Sequence, residues 1–324
     1  MAGGASILGH KRVLLLQLLA LAMTMPPAGF AGAQSMYKYR GESGEWIYTD
    51  RPPERQDVTE VRELETGAGL SGFSVTDRYD GAAIEVIADN RFYAPVEVAL
   101  AFATIEGVEF PDPDQELRWV VPARTEFVLV RLANLENPTP PRVVYQYEYL
   151  TGDPAATPDT AFNYRAPFAA GSRHAITQAY PDNATHQTPD SYFAVDIAMP
   201  VGTDVVAARD GVVFDVASKN YEGGTDARKY ADLANIVRIL HDDGSFSVYA
   251  HLSWDSIRVQ PGDRVAAGQY IADSGDTGIS SGPHLHFAVQ HNTGSEIASL
   301  PVGFRGPDDS RIVPRSGNEL TAYP

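Results

Sequence analysis

Apolar positions along the chain change their period from segment to segment, and each change marks a boundary. From Val13 to Met23 they run unbroken, behind Lys11 and Arg12 and ahead of Ala31-Gly32-Ala33. A basic end, an apolar stretch of about ten residues and an Ala-x-Ala site make a secretory signal peptide. A bilayer-spanning helix needs about 20 residues, so this run is too short to be one. Residues 1–33 therefore read as a signal peptide, with the mature chain starting near Gln34. Met36 to Pro53 carries two short aromatic stretches around a Gly-containing turn, which predicts a small hairpin. Glu54 to Gly69 is polar and reads as a linker, completing an N-terminal module over 34–69.

From Phe73 to Phe168 the period is two. Val96, Val98, Leu100 and Phe102 alternate with Glu97, Ala99 and Ala101, and Tyr145, Tyr147 and Tyr149 alternate with Gln146 and Glu148. With Pro, Gly, Asn and Asp between the runs, this predicts a β-sandwich-like middle domain over 70–168. The next block, 169–306, is again strand-rich, and 307–324 reads as a C-terminal tail. The fold class expected is all-β.

Three strands of the last block separate an apolar face from a polar one. In Tyr192 to Met199, Phe193, Val195, Ile197 and Met199 share a face and Asp196 projects from the reverse. In Phe246 to Ser253, alternation puts Phe246, Val248, Ala250 and Leu252 on one side and Ser247, Tyr249 and His251 on the other. His284 and His286 share a face opposite Leu285 and Phe287, about 6–7 Å apart along the strand.

Composition narrows what such faces can do. The chain has 324 residues, 25 Lys+Arg against 42 Asp+Glu, and a net charge of −17. That charge excludes nucleic acid and an anionic membrane surface as electrostatic partners. With no cysteine, a closed thiolate metal site cannot form, so a metal must be held by His, Asp and Glu. His10 lies in the leader; the remaining histidines, His174, His186, His241, His251, His284, His286 and His291, all fall between Gly171 and Phe304. Chemistry is expected in this block. His241, ahead of Asp242-Asp243-Gly244, reads as a structural residue at a hairpin turn.

Several strings in the same block resemble a known family. They are Ala194-Val-Asp-Ile-Ala-Met-Pro-Val-Gly-Thr203, Tyr249-Ala-His-Leu252, Gly262-Asp-x-Val-x-x-Gly268 and Ser280-Ser-Gly-Pro-His-Leu-His-Phe287. In this order they resemble the lysostaphin-like (LytM-type) zinc metallopeptidases, endopeptidases of the cell wall. Residues 36–53 resemble a short Tyr-Lys-aromatic module of exported bacterial proteins that carries no catalytic residues. The first resemblance implies a compact antiparallel β fold whose groove holds one Zn2+. Its ligands would be a first histidine, an aspartate after it and the second histidine of His-x-His. Asp196 and His286 match the last two directly. The usual spacing puts the first histidine at position 192, where this chain has Tyr192. Members with a longer insertion carry a histidine further ahead of a Tyr-Ala-x-Asp strand. His186, with nine residues between it and Asp196, matches that arrangement, and His174 is the fallback.

Two imidazoles and a carboxylate leave zinc's fourth position open to water, as in catalytic sites. No His-Glu-x-x-His occurs, so a helical zincin with its Glu base is excluded. The resemblance instead assigns His284 to orient or deprotonate the water and His251 to stabilise the oxyanion or leaving group. Tyr249 is expected to line the groove, with Asn220 to Leu233 as one wall and Gly275 to Pro283 as the loop delivering His-x-His. The implied function is an exported zinc endopeptidase, periplasmic or extracellular, acting on peptidoglycan peptides. The alternative is a catalytically inactive member that binds and activates another wall hydrolase. No membrane span is expected after signal removal, and the middle domain is placed to contact the last domain and cap its groove. The Gly262–Gly268 turn also suggests a lipoyl or biotinyl carrier, but neither Lys219 nor Lys229 sits on a suitable turn.

Overall fold

A computed structural model describes residues 72–110, 117–135 and 141–324, together with the backbone of three strands nearer the N-terminus. The signal-peptide segment 1–33 lies outside the described residues. Met36–Arg40 pairs antiparallel with Trp46–Thr49, as the hairpin pattern predicts, and also with Thr59–Leu64. That third strand lies where a linker was expected; with Val61 and Leu64 as its apolar residues, it carries little pattern to announce it. These strands form a compact unit distinct from Glu65–Pro324.

The middle domain is a two-layer sandwich. Phe73–Tyr79, Ala83–Asn90, Thr125–Asn134 and Val108–Glu109 form one sheet, and Arg142–Thr151, Val96–Glu106 and Arg118–Val121 the other. The inward faces meet in a core containing Phe73, Val86, Val96, Val98, Leu100, Val121 and Leu132. Alternation sets this: Val96 and Val98 are fully buried, while Ala99 and Ala101 face outward and are more open. Glu97 breaks the pattern, being polar, outward-facing and still 2% exposed. The last domain covers it.

That last domain is built on a nine-stranded antiparallel sheet. Its strands run in the order Arg264–Val265, Gly211–Ala217, Ile236–Leu240, Phe246–Ala250, His284–Asn292, Val195–Ala198, Arg173–Gln178 and Glu319–Thr321. Ile297–Ser299 folds back onto His284–Asn292. One face packs Val195, Ile197, Val213, Val237, Ile239, Leu285 and Phe287 against Tyr164, Phe168, Ile271 and Phe304. Burying each large apolar side chain here contributes roughly 1.5–3 kcal/mol.

Two expected boundaries differ. Tyr164, Ala166 and Phe168, read as the end of the sandwich, belong to this second core. Glu319–Thr321, read as tail, is the edge strand beside Arg173–Gln178 and buries Leu320 completely. The other sheet face has two halves. One carries polar side chains. The other holds Ala194, Phe214, Phe246, Val248 and Ala288, covered by Phe92, Tyr93 and Ala94 of the sandwich.

Candidate metal centre

Cross-strand register assembles the site. Ala250 pairs with His286, His286 with Asp196, and Asp196 with Gln178, so four neighbouring strands present a row of side chains at one level. Leu285 and Phe287 anchor the reverse of the His-x-His strand in the core, which fixes both histidines on the open face. Val195 and Ile197 do the same for Asp196.

His186 arrives from outside the sheet, on the excursion between Gln178 and Val195. Asn183 Nδ2 braces that excursion by donating to the carbonyls of His186 (2.8 Å) and Tyr192 (2.9 Å). His186 Nε2 lies 3.2 Å from Asp196 Oδ2, and His286 Nδ1 lies 2.9 Å from Asp196 Oδ1. The two imidazoles meet edge to face at 86°, with centroids 4.9 Å apart. One donor atom each from His186, Asp196 and His286 falls within 4.8 Å of the others. Ligands about 2.0–2.1 Å from a tetrahedral zinc stand about 3.3 Å apart, so this donor set fits such an ion. Burial opposes ionisation of Asp196, but hydrogen bonds and charge from His186 and His286 overcome it and hold the carboxyl well below the usual carboxylate range.

His284 and His251 stand beside this cluster, with ring centroids 4.5 Å apart. His284 Nε2 is 3.8 Å from Asp196 Oδ1. Its Nδ1–H donates to the carbonyl of Gly282 at 2.8 Å, with Ser280 Oγ 3.2 Å away. His251 Nδ1–H donates to the carbonyl of Thr277 at 2.7 Å. Both bonds put the proton on Nδ1 and leave Nε2 as an acceptor in the neutral ring. Burial, then the charges of His284 and His286, push the His251 pKa down to about 4.

The route by which His251 reaches the site differs from the one alternation predicts. Its strand ends at Ala250, and His251 itself takes a left-handed backbone, φ 61°. Tyr249 does not line the groove. It is wholly buried in the main core, where its hydroxyl accepts from the Ala208 amide at 2.7 Å. Phe246 and Val248 occupy the face assigned to the polar residues. The backbone turn at His251, not strand alternation, delivers the imidazole.

His174 stays apart from the donor set, its ring edge-on to Phe168 with centroids 4.7 Å apart. His241 is buried at its hairpin turn, and His291 is half-buried on the His-x-His strand. The groove measures about 760 Å³ and is lined by the donor residues, His251, His284, Thr225 and Ile279–Pro283 among others. Thr225 comes from the Asn220–Leu233 insertion, which is held by parallel pairing of Gly223–Gly224 with Gly278–Ile279. A Cβ at Gly223 would meet the Asp276 carbonyl at 1.7 Å, so only glycine allows this approach. No described residue of the middle domain lines the groove. The capping expected of that domain is not what is seen.

Sequence patterns missed Gln178, which donates to Asp196 Oδ2 at 2.7 Å. They also missed buried Asn235, whose backbone N–H donates to Thr277 Oγ1 at 3.0 Å, steadying the residue that holds His251.

A His/Asp/His donor set on an antiparallel sheet, flanked by two acceptor imidazoles, can hold a metal ion with proton acceptors beside it. Residues 191–298 match the model of Peptidase family M23. The chain is 40% identical over 116 residues to the glycyl-glycine endopeptidase ALE-1 of Staphylococcus capitis, covering 35% of this chain and 29% of that protein. It is 40% identical over 94 residues to the peptidoglycan DD-endopeptidase ShyA of Vibrio cholerae, covering 29% and 19%. Against the solved structure of LytU it is 30% identical, covering 39% of this chain and 72% of that one, with a TM-score of 0.25. The chain thus spans under a third of the length of these curated relatives. Residues 191–298 are thus a lysostaphin-like peptidase domain of family M23.

Proposed function

We propose that this protein is an exported zinc endopeptidase that hydrolyses peptide bonds in peptidoglycan stem peptides or cross-bridges. The observation that carries the reading is the convergence of His186, Asp196 and His286 beside two imidazoles whose Nε2 atoms are free to accept a proton. The three donors would hold zinc, which when bound supplies Lewis acidity to a scissile carbonyl and acidity to a water. His284, beside the donor set, takes the proton of the attacking water at Nε2. The Gly282 carbonyl keeps that ring in the receptive tautomer. The proton taken by His284 goes on to the leaving amine through His251, whose ring stands 4.5 Å away and, kept neutral by burial, accepts it at Nε2 and gives it up readily.

The groove supports cleavage of internal bonds. Among its described lining residues there is no lysine or arginine, and Asp196 is the sole acidic group. A terminal carboxylate would find no cationic side chain among them. An uncharged stretch of peptide would find Ser and Thr hydroxyls and the Gly282 backbone instead.

Metal content and digestion of purified cell wall, compared with His286→Ala, test the reading. The wild type should carry one zinc and release peptides, and the variant should do neither. A wild type that binds zinc but releases nothing would make the protein an inactive wall-binding relative. Export rests on the residue 1–33 pattern, and cell fractionation should find the mature chain, starting near Gln34, outside the cytoplasm. No helix among the described residues is long and apolar enough to cross a membrane.

A further inference from the structure

Resting on the metal-centre reading above, we infer that Gln178 is a positioning residue that sets the first metal-binding histidine. The spacing that the family resemblance implies would place that histidine at position 192, four residues before Asp196. Here Tyr192 occupies that position, and the excursion carrying His186 must be registered against Asp196 by some other means.

Gln178 has the geometry for this. Its Nε2 donates to Asp196 Oδ2 (2.7 Å) and to Thr185 Oγ1 (3.0 Å). Its Oε1 accepts from the amides of Ala184 (2.9 Å) and Thr185 (3.0 Å) and from Thr185 Oγ1 (3.1 Å). One side chain therefore ties the carboxylate ligand to the two residues immediately before His186.

A local irregularity aims it there. Ile176 pairs with Ile197 and Gln178 with Asp196, so the register shifts by one residue between them. Ile176 faces the core, and regular alternation would send Gln178 the same way. The bulge turns it to the ligand face; bulges beside functional sites commonly re-aim a side chain in this way. His186 depends on such a tether because its Nδ1, buried, has no hydrogen-bond partner among the described residues. Ligating histidines usually have the second ring nitrogen held by an outer partner. Here the orienting bonds go to the loop and to the neighbouring ligand.

The test uses the full mature chain with zinc and cobalt(II) as probes. Gln178→Met keeps the side-chain volume and removes all of these hydrogen bonds, and it should weaken zinc binding about 10–100-fold in competition with a chelator. The visible absorption of the cobalt form should change, because the ligand set is no longer held. In a His186→Ala background the same substitution should cost less, because its main effect acts through His186. Should Gln178→Met fail to fold, Thr185→Val on the exposed loop removes only the hydroxyl bonds and should weaken zinc binding about 2–10-fold. Wild-type zinc affinity and cobalt spectrum in the foldable variants, or an equal loss with and without His186, would overturn the inference while leaving the metal centre intact. A wild-type protein that takes up no zinc would remove both.

Discussion

At the scale of single residues, His251 concentrates the tension between stability and chemistry. A non-glycine residue with φ near +60° carries strain of roughly 1–3 kcal/mol unless local bonds compensate. His251 holds φ 61° with its Nδ1–H bonded to Thr277, whose position is in turn set by Asn235. The conformation is maintained because it points the ring at the groove. Replacement by glycine and by alanine separates the two effects. Both lose the imidazole, and both should lower kcat by about 10²–10⁴-fold with zinc retained. Alanine keeps the steric penalty of a left-handed Cβ, so His251→Gly should be more stable than His251→Ala by about 1 kcal/mol in urea unfolding. At most surface positions that order is reversed. Alanine the more stable of the two would mean the backbone relaxes once the ring is gone.

At the scale of elements, the hairpin joining Ile236–Leu240 to Phe246–Ala250 carries a second histidine with a different job. His241 is 3% exposed, and its Nδ1–H donates to the Asp210 carbonyl at 2.8 Å. Burial, foremost, lowers its pKa from 6.5 to about 4; the Asp210 bond and the charges of Asp243 and Asp242 oppose this, and that of Arg209 adds to it. The unfolded chain therefore binds the proton at higher pH than the fold does. The stability this neutral ring permits is complete above about pH 6.5, falls as pH drops from there toward 4, and levels off below. The shift corresponds to a loss of roughly 3 kcal/mol across that window. Urea unfolding at pH 7.5 and 4.5 should show a smaller acid loss in His241→Asn than in the wild type. An equal loss in both would place the titration elsewhere.

How much of these elements was legible follows from the same strands. Leu285 and Phe287 opposite His284 and His286, and Val195 and Ile197 opposite Asp196, make period-two patterns whose buried faces could be read directly. At Tyr249 the pattern misleads, because tyrosine can be core or surface and its hydroxyl finds a partner in Ala208. The bulge at Gln178 is invisible to alternation, since it is a local change of that alternation. Glu319–Thr321 is too short, with Leu320 as its single apolar residue, to differ from a tail. His186 sits on no regular element, so only the family resemblance pointed to it.

For the whole molecule, the sandwich covers the same sheet face that carries the metal centre, at its opposite end. Phe92 meets Phe214 with ring centroids 6.5 Å apart, and Phe214 meets Phe246 at 5.4 Å. At the edge of this apolar contact lies a buried polar clasp. Glu97 of the sandwich accepts from Arg118 Nη1 and from Asn292 Nδ2, each at 2.8 Å, and Asn292 also donates to the Gly152 carbonyl at 3.2 Å. Arg118 Nη1 reaches on to the Gly294 carbonyl at 3.0 Å. Asn292 ends the strand that begins at His284, so this strand is pinned at both ends, by the loop after Gly275 and by the sandwich. Glu97→Ala leaves the buried Asn292 amide without its carboxylate partner, a loss of about 2–3 kcal/mol. Glu97→Gln keeps an acceptor and should lose less. Both should unfold at lower urea than the wild type, in a single transition, because Glu65–Pro324 is one compact unit. Zinc affinity should stay close to wild type in both, since His286 is anchored locally by Leu285, Phe287 and Asp196. If Glu97→Ala instead lost zinc affinity in step with stability, the clasp would be part of the metal centre's support and the sandwich would govern the site from a distance.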